Sequence, residues 1–134
     1  MITIESKYLG SLRTEANHIQ SGNKIITDAP LDNNGKGEAF SPTDLVAAAL
    51  GSCMMTIMAI LAKKDNIDLE GTTYEITKMM SASPRKIHEI IINFNFKNLN
   101  LSSEQKQKLE NAARTCPVSL TLSKDVIQNI TFNW

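Results

Sequence analysis

The chain is poor in the residue types that most readily announce a function. Its 134 residues include two cysteines, two histidines, one tryptophan and four prolines, and 14 basic side chains are balanced by 14 acidic ones. Zero net charge removes the electrostatic footprint of a protein that binds nucleic acid, an anionic membrane or an acidic partner. The pairs Lys63-Lys64 and Arg85-Lys86 are too short to change this and read as solvated ends of helices or loops. There is no CxxC or CxxH spacing, and two cysteines with the isolated His18 and His88 make a poor zinc ligand set. The expectation is a protein with no metal and no other cofactor.

The opening segment "MITIESKYLG" has no basic stretch leading into a long apolar run, so it does not read as a signal peptide. A cytoplasmic location is expected, where cysteines are normally thiols. With 42% hydrophobic and 21% charged residues the composition is that of a globular protein. No repeat or low-complexity linker divides it, so residues 1–134 are expected to form a single domain.

What the chain does have is pattern. "ITIESKYLG", "LRTEANH" and "NKIITDAP" are compatible with strands, and "QSGN" between the last two reads as a hairpin turn. Residues 28–39, "DAPLDNNGKGEA", are turn-rich and predict an exposed loop. A helix then starts cleanly. Ser41 can cap it, Pro42 suits its first position, and Asp44 places an acid near the free N–H groups. From Leu45 to Ala62 nearly every residue is apolar or small, a length approaching the roughly 20 residues that span a membrane. Its alanines, Gly51, Ser52 and Thr56 make it only weakly hydrophobic. We read it as the buried centre of a protein or a dimer, not as a membrane span.

Beyond the helix, residues 72–82 and 87–97 alternate as two long strands around "SPRK". In the second, His88, Ile90, Ile92, Phe94 and Phe96 form the expected core face. "LSSEQKQKLENAARTC" predicts a second helix capped by Ser102 or Ser103, which Pro117 must break or restart. "VIQNITFNW" closes the chain as a strand. The order β-β-(β)-α-β-β-α-β is an α+β fold with mainly antiparallel pairing.

The two cysteines sit in different settings. Cys53 lies twelve residues beyond the Ser41 cap, too deep for the helix dipole to activate it, so any activation needs a cation or donor from another element. Cys116 precedes Pro117, and a cysteine where a helix restarts can be stabilised as thiolate. Residue by residue, both remain open between buried filler and reactive thiol. Met54, Met55 and Met58 pose the same choice between core packing and a soft lining for an apolar substrate.

Taken together, "GKGEAFSPTDL", the alanine-rich run into Cys53 and the later "ARTCPVSLTL" resemble the OsmC/Ohr family, which includes thiol-dependent organic hydroperoxide reductases. The resemblance runs over essentially the whole chain. It implies an intertwined homodimer with curved antiparallel sheets around two long central helices, and active sites at the subunit interface. It also implies that Cys53 attacks the peroxide and that Cys116 resolves the product as a disulfide, which an external dithiol reduces. One position departs from the pattern. Peroxidatic members carry a glutamate directly after the helix-starting proline, paired with an arginine from an N-terminal loop, whereas this chain has Thr43 there and an acid one step later, at Asp44. Asp44 and Glu38 are the candidate replacements. Of the three arginines, Arg13, Arg85 and Arg114, Arg13 is the candidate partner. The departure keeps a second function in view, a redox sensor or small-molecule binding protein without fast turnover.

Overall fold

Two adjacent residues with positive φ, Ser11 (53°) and Leu12 (61°), turn the chain between its first two strands, as both central residues of a type I′ hairpin turn must. The computed structural model describes residues 1–134 and divides into two units, Met1–Val46 and Ala47–Trp134. In the first unit, β1 (Ile4–Gly10), β2 (Arg13–His18) and β3 (Lys24–Asp28) form an antiparallel meander in the order β1-β2-β3. The expected turn at Gln20–Asn23 joins β2 to β3. The segment expected as an open loop is more structured than that. It holds one 3₁₀ turn, Leu31–Asn33, and its first residue, Asp28, ends β3 and is buried. Gly35 is required here, because a Cβ at that position would lie 1.6 Å from the carbonyl oxygen of Ala29.

Helix α1 (Pro42–Lys64) begins in the first unit and runs on into the second. Its start is the expected one: the Ser41 hydroxyl accepts from the Asp44 N–H (3.1 Å), and the Asp44 carboxylate accepts from the Ser41 N–H (2.9 Å). This reciprocal pair is a capping box with aspartate in the acid position.

In the second unit, β4 (Thr73–Ala82) and β5 (Arg85–Asn95) form the expected long antiparallel hairpin. Helices α2 (Ser103–Arg114) and α3 (Pro117–Thr121) follow, then β6 (Ile127–Asn133). Ser102, not Ser103, caps α2, in a capping box with Gln105. Pro117 restarts the chain as α3. Pairing is mainly antiparallel, as expected; the exception is β6, which lies parallel to β5 in the order β4-β5-β6. A parallel neighbour needs a crossover, and α2 with α3 supplies it.

The core forms where α1 presents Leu50, Met54, Met58 and Ala62, spaced four apart, among Ile90, Ile92 and Phe94 of β5, Leu109 and Ala113 of α2, and Ile130 of β6. Ile90, Ile92 and Phe94 are thus the expected core face, but His88 at its end is exposed and Phe96 only partly buried. Gly51 permits the approach of β4, since a Cβ there would sit 2.6 Å from Ile76 Cδ1 and 3.1 Å from Tyr74. The side of α1 turned away from this core carries Ala49, Ser52, Thr56, Ala59 and Ile60, all exposed in the single chain. α1 is also the one helix long and apolar enough to cross a membrane, a test that the core helix of a soluble protein passes equally.

Candidate active site

Cys53 and Cys116, 63 residues apart in sequence, meet in the second unit. Both are free thiols, near enough for Cys53 to act on the titration of Cys116. Cys53 is half-buried on α1, next to the core residue Met54. Cys116 is fully buried and is the N-cap of α3, with an extended backbone (φ −66°, ψ 153°) and Pro117 at the first helical position. This geometry aims the Ser119 N–H at the Cys116 sulfur, 3.4 Å away.

The expectation that the helix restart favours a Cys116 thiolate is only half met. Burial pushes the Cys116 thiol up, the Ser119 N–H pulls it back, and the neighbouring Cys53 raises it further; the net shift is upward. Desolvation of a charged sulfur outweighs one backbone donor. Arg114 is engaged elsewhere, its guanidinium 5.3 Å from the centre of the Phe132 ring.

The first unit holds an ionic cluster. Arg13 on β2 makes a bidentate pair with Asp28 on β3, Nε to Oδ1 at 2.6 Å and Nη2 to Oδ2 at 2.8 Å. Asp28 also accepts from the Glu38 N–H at 3.1 Å, while the exposed Glu38 carboxylate stands 3.8 Å from Arg13 Nη2. The Arg13 hydrogen bonds hold the Asp28 carboxyl below the usual carboxylate range, and Asp28 in turn raises the Arg13 guanidinium. Two of the sequence candidates, Arg13 and Glu38, are therefore brought together, but around Asp28, which the sequence reading missed. In "TDAP" an aspartate before a proline-containing turn reads as a turn residue, and nothing in the local pattern marks it as buried.

Asp44 is placed by its own helix. Its carboxylate serves the cap at Ser41, about two and a half turns before Cys53 along α1. The Thr43 hydroxyl lies 3.2 Å from that of Ser41. No group of three or more His, Cys, Asp or Glu side chains is arranged to hold a metal ion.

A family model described as OsmC-like protein matches residues 35–130. No curated protein matches the chain. Among solved structures, a Psychrobacter arcticus protein, provisionally named an osmotic stress induced and detoxification response protein, is 49% identical; it aligns over 99% of this chain and 96% of its own, with a TM-score of 0.95. An organic hydroperoxide resistance protein OsmC from Legionella pneumophila is 20% identical over 100% of this chain and 98% of its own, with a TM-score of 0.76. OhrB, the organic hydroperoxide resistance protein of Bacillus subtilis, is 22% identical over 98% of each chain, with a TM-score of 0.68. The two more distant structures share the fold. With the family model covering most of its length and a near relative aligned from end to end, the chain belongs to the OsmC family.

Proposed function

We propose that the protein is a thiol-dependent peroxidase that reduces organic hydroperoxides to alcohols in the oxidative stress response. The observation that carries this reading is the nearness of the Cys53 and Cys116 thiols, which lie 63 residues apart in sequence. The hydroperoxide resistance named for the Legionella and Bacillus proteins of the same fold agrees with it. In the proposed cycle the Cys53 thiolate attacks the distal peroxide oxygen. The O–O bond breaks, the alkoxide takes a proton and leaves as alcohol, and Cys53 becomes a sulfenic acid. The Cys116 sulfur then attacks the Cys53 sulfur, the S–O bond breaks, and hydroxide leaves as water with the thiol's proton. A dithiol reduces the resulting disulfide by exchange. The half-buried apolar side chains that flank Cys53 on α1, Met55 among them, favour organic peroxides over hydrogen peroxide.

The working unit is a homodimer in the cytoplasm. The exposed, small and apolar side of α1 and the exposed Ile4, Tyr8, Ile25 and Ile26 of the first sheet are the surfaces that a second copy would cover. Arg13, Glu38 and Asp44 are the candidate activating residues. Size-exclusion chromatography with light scattering tests the dimer: a monomeric mass at micromolar concentration refutes it.

Peroxide consumption under excess dithiol, with cumene hydroperoxide against hydrogen peroxide, tests the activity. Turnover of the organic peroxide that is abolished in Cys53→Ser supports the enzyme. Full turnover in Cys53→Ser, or a strong preference for hydrogen peroxide, refutes it. Thr43, where peroxidatic members carry glutamate, favours one second reading, a redox sensor or small-molecule binding protein on the same fold. Under that reading the thiols react once with peroxide and are not recycled by dithiol.

A further inference from the structure

Every second residue of β6 faces inward, and the series reads Gln128, Ile130, Phe132. A carboxamide on the core-facing register of a strand is costly unless its polar atoms are hydrogen-bonded. Both ends of Gln128 are in fact spent on one residue. Its Oε1 lies 2.6 Å from the Ser119 hydroxyl, and its Nε2 donates to the Ser119 carbonyl at 3.1 Å. The Ser119 hydroxyl has a second acceptor, the Arg114 carbonyl at 3.1 Å. It carries one proton, and the shorter contact to Gln128 takes it. Ser119 is also the residue whose N–H points at the Cys116 sulfur.

The geometry points to Gln128 as a positioning residue for Cys116, acting through Ser119. Gln128 is fixed by its place opposite Ile90 in the parallel β5–β6 ladder, so it ties the short α3 segment to the sheet. That tie sets the direction of the Ser119 N–H and with it the orientation of the sulfur that must approach Cys53. The inference rests on the proposed role of Cys116 as resolving thiol, and it makes Gln128 and Ser119 one unit in the closing step. In that step the Cys116 sulfur forms a bond to the Cys53 sulfur and displaces whatever group Cys53 carries.

The test replaces peroxide with dithiobis(nitrobenzoate) at one equivalent per chain of the full-length reduced protein. The more accessible Cys53 attacks first, forming a mixed disulfide and releasing one nitrothiophenolate. Cys116 then displaces the second, leaving the Cys53–Cys116 disulfide. Gln128→Met keeps the length of the side chain and removes both hydrogen bonds; Ser119→Ala removes the hydroxyl alone. Each variant is expected to leave the first release at the wild-type rate and slow the second about tenfold, the scale of a lost hydrogen bond. The double variant is expected to be no slower than Gln128→Met, as for residues that act as a unit. A second release at the wild-type rate in Gln128→Met overturns the inference. So does a matching loss in both releases, or the absence of a second release from the wild type. Because no peroxide is involved, failure of peroxide turnover and failure of this assay are separate results.

Discussion

Arg13 holds Asp28 by two side-chain hydrogen bonds, 2.6 and 2.8 Å long, on neighbouring strands of the first sheet. Asp28 is only 1% exposed, so this pair is an internal fastening of a sheet whose first strand is almost wholly exposed. Asp28→Asn is expected to lower Tm by several degrees at neutral pH, because the guanidinium loses its charged partner. The effect must shrink in acid. The folded carboxyl titrates below its unfolded value of about 3.9, so the pair stabilises the fold above that pH and its contribution is lost as pH falls further. Thermal melts of both proteins between pH 7 and pH 3 check this: the two Tm values should converge in acid.

Cys116 titrates in the opposite sense. Burial keeps its thiol above the usual cysteine range, so the folded state holds this proton more tightly than the unfolded chain. Its contribution to stability is complete below the unfolded pKa of about 8.5 and is lost as pH rises through the folded value. The closing reaction follows the thiolate, so its rate should reach half its maximum above about pH 8.5, where an ordinary thiol is already half ionised. Stopped-flow measurement of the second nitrothiophenolate release across pH 7 to 10 reads it directly, and a half-maximal rate at or below about pH 8.5 would contradict it.

At Gly51 two effects compete. Any larger residue gains helix propensity, up to about 1 kcal/mol for alanine, but its Cβ meets Ile76 and Tyr74 of β4. Alanine touches the movable end of Ile76 and should be close to neutral. Gly51→Val adds branching against β4 and should cost about 1–3 kcal/mol as an overpacked contact, measured by urea denaturation.

The first turn of α1 offers a third substitution with a sized effect. Ser41 is buried and caps the helix, so Ser41→Ala should cost about 1 kcal/mol in the same measurement. Asp44→Asn retains an acceptor for the Ser41 N–H and should cost less than Asp44→Ala, whatever either does to peroxide turnover.

Much of this architecture is legible in local chemistry. Ser41, Pro42 and Asp44 announce α1, Pro117 breaks α2 from α3, and alternation at Ile90, Ile92 and Phe94 marks the core face of β5. The direction of β6 is not legible, because a strand's pattern records which faces are apolar and not which way a neighbour runs. The same limit explains the site. The "CPVS" and "GSC" segments single out two cysteines, yet only the fold shows that their sulfurs meet. Asp28 and Gln128 escape the sequence because each is a polar residue at a position that looks like a turn or a plain strand. What distinguishes them is a partner supplied by another element.

The parallel seating of β6 also gives the second unit a fixed order of completion during synthesis. β4 and β5 are hairpin neighbours and can pair as soon as they emerge from the ribosome. The partner of Glu89, by contrast, is Ile127, which follows only after α2 and α3. Until that strand leaves the exit tunnel, α1 lacks Ile130 as a neighbour and Ser119 has no Gln128 to hold it. Cys53 thus emerges well before the brace on its partner thiol, so the sulfur pair takes its final form only after β6 has left the tunnel.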